Sequence, residues 1–357
     1  STDNVVDYDV TPPTVTITQG AGQADPTGVS PIVFDVIFSE PVTGFTGTDI
    51  TLSGSAGAST AVVSGGGTTY TVSVSGMTGP GTVTATVNAG AATDLANNAS
   101  LVSTSTDNTV TFDNTILSVT INKAVGQADP TNVGPINFTV IFNKTVTDFT
   151  AADVNLLTGT APGTLTATVT GSGTTYNVAV NGMTGSGTVI ATVPAGNAHD
   201  SVGNPNTNST STDNIVLFDA TPPTVTIEQA VGQADPTGIS SIDFEVVFSE
   251  PVTGFTSTDV TVSGTATGPT TVVVNGSGAT YTVTVSGMTG SGTVIASIPA
   301  GAASDASNNA NLASTSTDNT VTFDNNTPTV TINQAAGQAD PTNTSPIIFT
   351  VVFNKTV

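Results

Sequence analysis

The chain has 357 residues, with 26 Asp+Glu against 3 Lys+Arg and a formal net charge of −23, yet charged residues make up only 8% of it. That balance excludes binding to nucleic acid or an anionic membrane through a basic patch. The absence of Cys removes disulfides, thiolate metal sites and thiol catalysis, and no apolar run reaches the roughly 18 residues of a membrane span.

Alternating or β-branched runs bounded by Gly, Pro, Asn and Asp begin near residue 14. They predict strand A at 14–17, B at 32–38, C at 49–52, D at 60–63, E at 70–74, F at 82–87 and G at 109–112. Strand B alternates, with Ile32, Phe34, Val36 and Phe38 on one face, as do E (Tyr70, Val72, Val74) and F (Val83, Ala85, Val87). Period-two alternation gives each sheet one buried and one wet face, and no segment has helical periodicity. The expected fold is all-β, a seven-stranded Greek-key sandwich of immunoglobulin-like type.

The same pattern then recurs. Gly-Gln-Ala-Asp-Pro starts at Gly22, Gly126, Gly232 and Gly337, offsets of 104, 106 and 105. Ser-Thr-Asp-Asn starts at Ser1, Ser105, Ser211 and Ser316, with the same offsets. Two markers sharing one period predict a tandem array. Its repeats are residues 11–114, 115–220 and 221–326, preceded by the end of an earlier repeat or linker at 1–10 and followed by the start of a fourth at 327–357. The break inside the fourth repeat leads us to expect a piece of a longer protein, with any signal peptide or anchor outside it. A longer period is superposed: Phe-Ser-Glu-Pro-Val in repeats one and three (Glu40, Glu250) gives way to Phe-Asn-Lys-Thr-Val in two and four (Lys144, Lys355). The array reads ABAB.

All 14 Phe fall at repeated places, as do Tyr70, Tyr176 and Tyr281 and the three Met. Residues repeated in every unit fill each unit's core, which leaves no surplus aromatic to stack on a sugar or base.

Strand order brings the linker, the B–C loop and the F–G loop to the leading end of each repeat. Repeat one there gathers Asp9, Glu40, Asp94 and Asn98; repeat three gathers Asp219, Glu250, Asp305 and Asn309. Asp25, Asp129 and Asp235, in the A–B loops, lie at the trailing end. Converging carboxylates repel unless a cation sits among them, and Ca²⁺ takes six to eight oxygen ligands in flexible geometry. The F–G loops read Asp94-Leu-Ala-Asn-Asn98, Asp200-Ser-Val-Gly-Asn204 and Asp305-Ala-Ser-Asn-Asn309, and the fourth position suits a left-handed backbone. The alternative is that these Asp and Asn residues only make turns with their own backbone. Repeat two departs, since Lys144 supplies a cation of its own. Either Lys144 pairs with Asp113 or Asp200 and the metal is lost, or Asp148 joins as a ligand.

Thr-Pro-Pro-Thr-Val-Thr-Ile, Ser-Glu-Pro-Val-Thr-Gly-Phe-Thr (39–46, 249–256), the Tyr-Thr-Val strand and Ala-Gly-Ala-Ala-Thr-Asp (89–94) resemble the bacterial Ig-like repeats of large secreted adhesins and surface proteins. The resemblance covers the whole chain. It implies an extracellular or cell-surface stalk whose joints are stiffened by Ca²⁺, a role it assigns to Asp9, Glu40, Asp94, Asp219, Glu250 and Asp305.

The leading expectation is therefore a structural stalk or filament segment, its repeats in line as an extended rod. Its partners are neighbouring repeats and, in a polymer, other copies packed laterally or end to end. A binding module that presents Thr-rich faces to ice, glycan or a partner cell is the alternative. An enzyme is not expected, because His199 stands alone where the sister repeats carry Thr93 and Ser304. The acidity serves either calcium or high salt.

Overall fold

The computed structural model describes residues 5–268 and 270–357; the first Ser-Thr-Asp-Asn copy, Ser1–Asn4, lies outside the described residues. The protein is all-β and built from small antiparallel sheets. Repeat one contributes β1 (Val15–Gln19), β2 (Ile32–Val42), β3 (Ile50–Ser53), β4 (Thr60–Ser75), β5 (Gly81–Val87) and β6 (Thr109–Phe112). They form two sheets, ordered β1-β2-β4 and β3-β5-β6.

The predicted strands D and E are the two arms of β4. This stretch is extended for 16 residues, yet Ser59 N–H donates to the Ser75 carbonyl at 3.1 Å, so its ends are neighbours and the chain doubles back. The reversal lies at Gly65-Gly66-Gly67. Gly65 has φ 110°, and a Cβ there would stand 2.5 Å from the Thr69 carbonyl oxygen. Only glycine meets both conditions.

Repeat two comprises β7 (Val119–Lys123), β8 (Ile136–Val146), β9 (Gly163–Met183), β10 (Gly187–Ile190) and β11 (Ile215–Phe218), in sheets β7-β8-β9 and β10-β11. The place of β3 is reduced to a bridge between Asn155 and Thr192. Repeat three restores the full pattern with β12 (Val225–Gln229), β13 (Ile242–Val252), β14 (Thr261–Gly264), β15 (Thr271–Ser286), β16 (Gly292–Ser297) and β17 (Thr320–Phe323). β18 (Val330–Gln334) and β19 (Phe349–Phe353) pair as β1 and β2 do. Val330, Ile332, Phe349, Val351 and Phe353 are exposed there, whereas their counterparts Val15, Ile17, Phe34, Val36 and Phe38 are buried under a second sheet.

The predicted alternation is what packs the sandwich. Ile32, Phe34, Val36 and Phe38 of β2 face Tyr70, Val72 and Val74 of β4 and Val83, Ala85 and Val87 of β5 in one buried cluster. A repeated aromatic trio closes it near the leading end. Phe38, Phe45 and Tyr70 meet edge to face with centroids 5.2–5.8 Å apart, and Tyr70 donates its hydroxyl to the Val42 carbonyl at 3.0 Å. Equivalent trios are Phe142/Phe149/Tyr176 and Phe248/Phe255/Tyr281.

β2 runs past the predicted end of strand B. Its pairing with β4 shifts register between Ile37 and Val42, a bulge that holds Ser39-Glu40-Pro41. Pro41 has no N–H for a regular ladder, so the irregularity falls where the sequence tolerates it. A bulge re-aims side chains, and this one carries Glu40. The same shift recurs at Lys144 and Glu250.

The chain divides into two compact units, Ser1–Gln127 with Gly134–Val216, and Ala128–Val133 with Leu217–Val357. These units are not the repeats themselves. The β7–β8 loop segment 128–133 groups with later residues because Thr131 N–H bonds the Leu217 carbonyl and Asp219 N–H bonds the Thr131 carbonyl.

Candidate metal centres and their lysine counterparts

Three elements build each leading end. The linker supplies an aspartate whose Oδ1 accepts the backbone N–H two residues on: Asp9 from Thr11 at 2.8 Å, Asp113 from Thr115 at 2.9 Å, Asp219 from Thr221 at 3.0 Å and Asp324 from Asn326 at 3.0 Å. This Asx turn fixes the carboxylate at the start of the repeat. The loop before the last strand of each repeat supplies the second aspartate. Asp94 Oδ1 accepts Asn98 N–H at 2.8 Å, and Asp305 Oδ1 accepts Ser307 and Asn309 N–H, both at 2.8 Å. The expected left-handed residue is present in all three loops: Asn97 at φ 67°, Gly203 at 87° and Asn308 at 66°. The bulge supplies the third group.

In repeats one and three the third group is glutamate. Carboxylate oxygens of Asp9, Glu40 and Asp94 lie within 4.8 Å of one another, and so do those of Asp219, Glu250 and Asp305. These triads can hold a metal ion. Asp7, Pro41, Leu95 and Ala96 line an open cleft together with Asp9 and Glu40 of the first. Burial, then Asp94 and Asp9, raise the Glu40 carboxyl above its ordinary pKa; burial, then Asp305 and Asp219, do the same to Glu250. Asp94 is also opposed by burial, but bonds from the Asn98 side chain and from the backbone of the loop hold it below its ordinary value. The first triad therefore sets an Asp94 held in its anionic form beside a glutamate that ionises reluctantly, and the second holds the same reluctant glutamate, a strain that a cation relieves.

In repeat two the third group is Lys144. Its Nζ donates to Asp113 Oδ2 and Asp200 Oδ2, both at 2.9 Å, and to the Thr115 carbonyl at 3.2 Å. Asp113 is lowered to about 2, chiefly by the Thr115 side chain and then by Lys144, against the opposing effect of burial. Asp200 is buried, yet Lys144 and the Asn204 and Val202 donors lower it. Lys144 is raised, the two carboxylates outweighing burial. Lys355 repeats the arrangement with Asp324 Oδ2 at 2.9 Å and the Asn326 carbonyl.

Four of the candidate ligands have protein partners of their own. Asp113 and Asp200 belong to no acidic triad among the described residues; both hold the Lys144 ammonium, the first of the two arrangements expected for repeat two, in place of a metal. Asn98 and Asn309 act as braces. Asn98 Nδ2 donates to Asp94 Oδ2 at 2.9 Å and to the Asp9 carbonyl at 3.2 Å, so the amide turns its donor toward the carboxylates. Asn309 Nδ2 does the same to Asp305 Oδ2 and the Asp219 carbonyl, each at 2.9 Å. Asp148, the alternative ligand of repeat two, is instead engaged by His199, whose N–H and Nδ1 lie 2.9 and 2.8 Å from its two oxygens. Asp25, Asp129 and Asp235 lie at the trailing end as expected, accepting N–H from Thr111, Leu217 and Thr322.

Sequence reasoning missed the Thr115 carbonyl, because a backbone acceptor has no residue-type signature. It also missed the role of Asn204, whose Nδ2 donates to the Asp113 carbonyl at 2.9 Å and Asp200 Oδ2 at 3.1 Å, although the residue aligns with Asn98 and Asn309. No protein-family model matches the chain, and no curated protein matches it in sequence.

Proposed function

We propose that this chain is a structural segment of an extracellular surface protein, a tandem array of Ig-like sandwiches whose joints are set by cations of two kinds. The Ig-like reading is supported by strand order. With β4 resolved into its two arms, repeat one reads A-B-E-D in one sheet and C-F-G in the other, the constant-type immunoglobulin arrangement.

One observation carries the cation reading. Lys144 Nζ shows where positive charge sits in a repeat of this design, between linker and loop aspartates and against a linker carbonyl. Repeats one and three keep both aspartates and exchange the lysine for glutamate, so the charge must come from solution. An all-oxygen set of three carboxylates suits a hard divalent ion, and Ca²⁺ is the one that accepts irregular geometry. Joints formed this way resist bending without a disulfide, in a chain that has no Cys. We read the protein as a spacer in a stalk or filament at the cell surface, with no catalytic role.

The test is thermal unfolding of the chain in millimolar Ca²⁺ and in chelator. A rise in midpoint with Ca²⁺, not matched by the same ionic strength of Na⁺, supports the reading. Equal midpoints in all three conditions refute the metal-set joints.

A further inference from the structure

The residue that follows Asp-Pro-Thr in the β1–β2 loop and its equivalents alternates through the array: Gly28, Asn132, Gly238, Asn343. We propose that this position is a joint key, a contact surface that fits each repeat only to a following repeat of the opposite type and so fixes the ABAB order. The inference rests on the tandem-array reading and not on bound metal.

The two kinds of joint use the position in incompatible ways. At the first joint, a Cβ added to Gly28 would lie 2.8 Å from Asn204 Oδ1, 3.0 Å from the Val202 carbonyl oxygen and 3.3 Å from the Asp113 carbonyl oxygen. Two of these three are backbone atoms that cannot swing aside. Gly28 has no positive φ, so its torsion admits any side chain and glycine is required by the close approach alone. At the next joint Asn132 fills the position. Its Nδ2 donates to Asn309 Oδ1 at 3.0 Å, the outward end of the amide that braces Asp305 and the Asp219 carbonyl. A side chain is therefore excluded ahead of the lysine-type loop and used ahead of the glutamate-type loop.

Exchange of types would damage both joints. A repeat ending in Asn placed before a lysine-type repeat meets the Asn204 and Val202 oxygens. A repeat ending in Gly placed before a glutamate-type repeat leaves Asn309 Oδ1 without the Asn132 amide. Gly238 supplies an internal control, since residues 327–357 include no F–G loop for it to meet. It occupies the same loop position, but only the Asp324 carbonyl oxygen, at 3.3 Å, lies near its would-be Cβ.

The experiment uses the full chain, whose lack of Cys allows spin labels at introduced cysteines in exposed positions: Thr18→Cys with Thr166→Cys across the first joint, and Thr166→Cys with Thr282→Cys across the second. Distances are measured by pulsed electron resonance in chelator, so that calcium plays no part. Gly28→Asn should at least double the width of the first-joint distribution and leave the second unchanged. Asn132→Gly should do the reverse. Gly238→Asn should alter neither distribution and leave the unfolding midpoint of repeat three unchanged. An unaltered first-joint distribution in Gly28→Asn overturns the proposal. So does a midpoint loss in Gly238→Asn equal to that in Gly28→Asn, which would trace the effect to the loop itself. Loss of calcium response in the separate melts would leave this result standing, so the two readings fail independently.

Discussion

Lys144 Nζ lies 2.9 Å from Asp200 Oδ2, and Glu40 stands at the equivalent bulge position beside the equivalent Asp94. One position on one strand thus carries opposite charges in alternate repeats, while the aspartates around it stay the same. The ionic chemistry of the two joint types must therefore run in opposite directions with pH.

Acid titration of the lysine joint follows from Asp113. Its folded carboxyl lies at about 2 against an ordinary 3.8, so its contribution is complete above 3.8 and is lost as pH falls toward 2. Lys144 is raised above its ordinary 10.5, so its contribution is complete below 10.5 and is lost as pH rises through the higher folded value. Lys144→Met should lower stability at neutral pH by about 1–3 kcal/mol, because Asp200 stays buried without its charged donor. It should also remove the alkaline loss and shrink the acid limb only in part, since the Thr115 side chain is the larger influence on Asp113. Urea unfolding at pH 2 to 11 for both proteins measures this.

The glutamate joint has the other sign. Glu250 is raised above 4.5, so in chelator the repeat loses stability as pH rises past that value and the carboxylates crowd. Glu250→Lys rebuilds the Lys144 arrangement between Asp219 and Asp305. Melts of repeat three in this variant should become indifferent to chelator and lose the decline above pH 4.5. A chelator response as large as that of the parent chain would separate Glu250 from cation binding.

Much of the fold is legible in the residues alone. Period-two runs in β2, β4 and β5 name the core, because strict alternation sends every second side chain to the same face of a sheet and only that face is apolar. The triads are legible because antiparallel connectivity brings linker, bulge and F–G loop to one end. Side-chain direction is not. Asn98 and Asn309 have an oxygen and a nitrogen to offer, and only the nearby carboxylates and carbonyls decide which faces inward. The length of the two β4 arms is hidden for a related reason, since Gly65-Gly66-Gly67 marks a break between strands without showing that the arms pair right up to the turn.

The aromatic trio anchors the leading end of each sandwich. Phe38→Ala removes a buried ring that meets both Phe45 and Tyr70, and should cost about 3–5 kcal/mol. Tyr70→Phe keeps the ring and removes only the bond to the Val42 carbonyl, and should cost about 0.5–1.5 kcal/mol. Chemical denaturation monitored by tyrosine fluorescence distinguishes them for Phe38→Ala, with circular dichroism used for Tyr70→Phe. Equal losses would mean that the hydroxyl, and not the ring packing, holds the leading end of the sandwich together.

The glycine reversal in β4 gives the sharpest contrast between neighbours. Gly65 has φ 110° and a would-be Cβ 2.5 Å from the Thr69 carbonyl oxygen, whereas Gly66 has no positive φ and nothing within 4 Å. Gly65→Ala must therefore strain the turn or open it, and should destabilise repeat one by more than about 1 kcal/mol. Gly66→Ala loses nothing in the folded state and narrows the unfolded ensemble, so it should be neutral or stabilise by about 0.4–1 kcal/mol. The two variants differ by one methyl group on adjacent residues, and paired urea titrations compare them directly. If both destabilise equally, the two arms of β4 do not turn where the backbone torsions put the reversal, and the A-B-E-D sheet order derived from it falls with them.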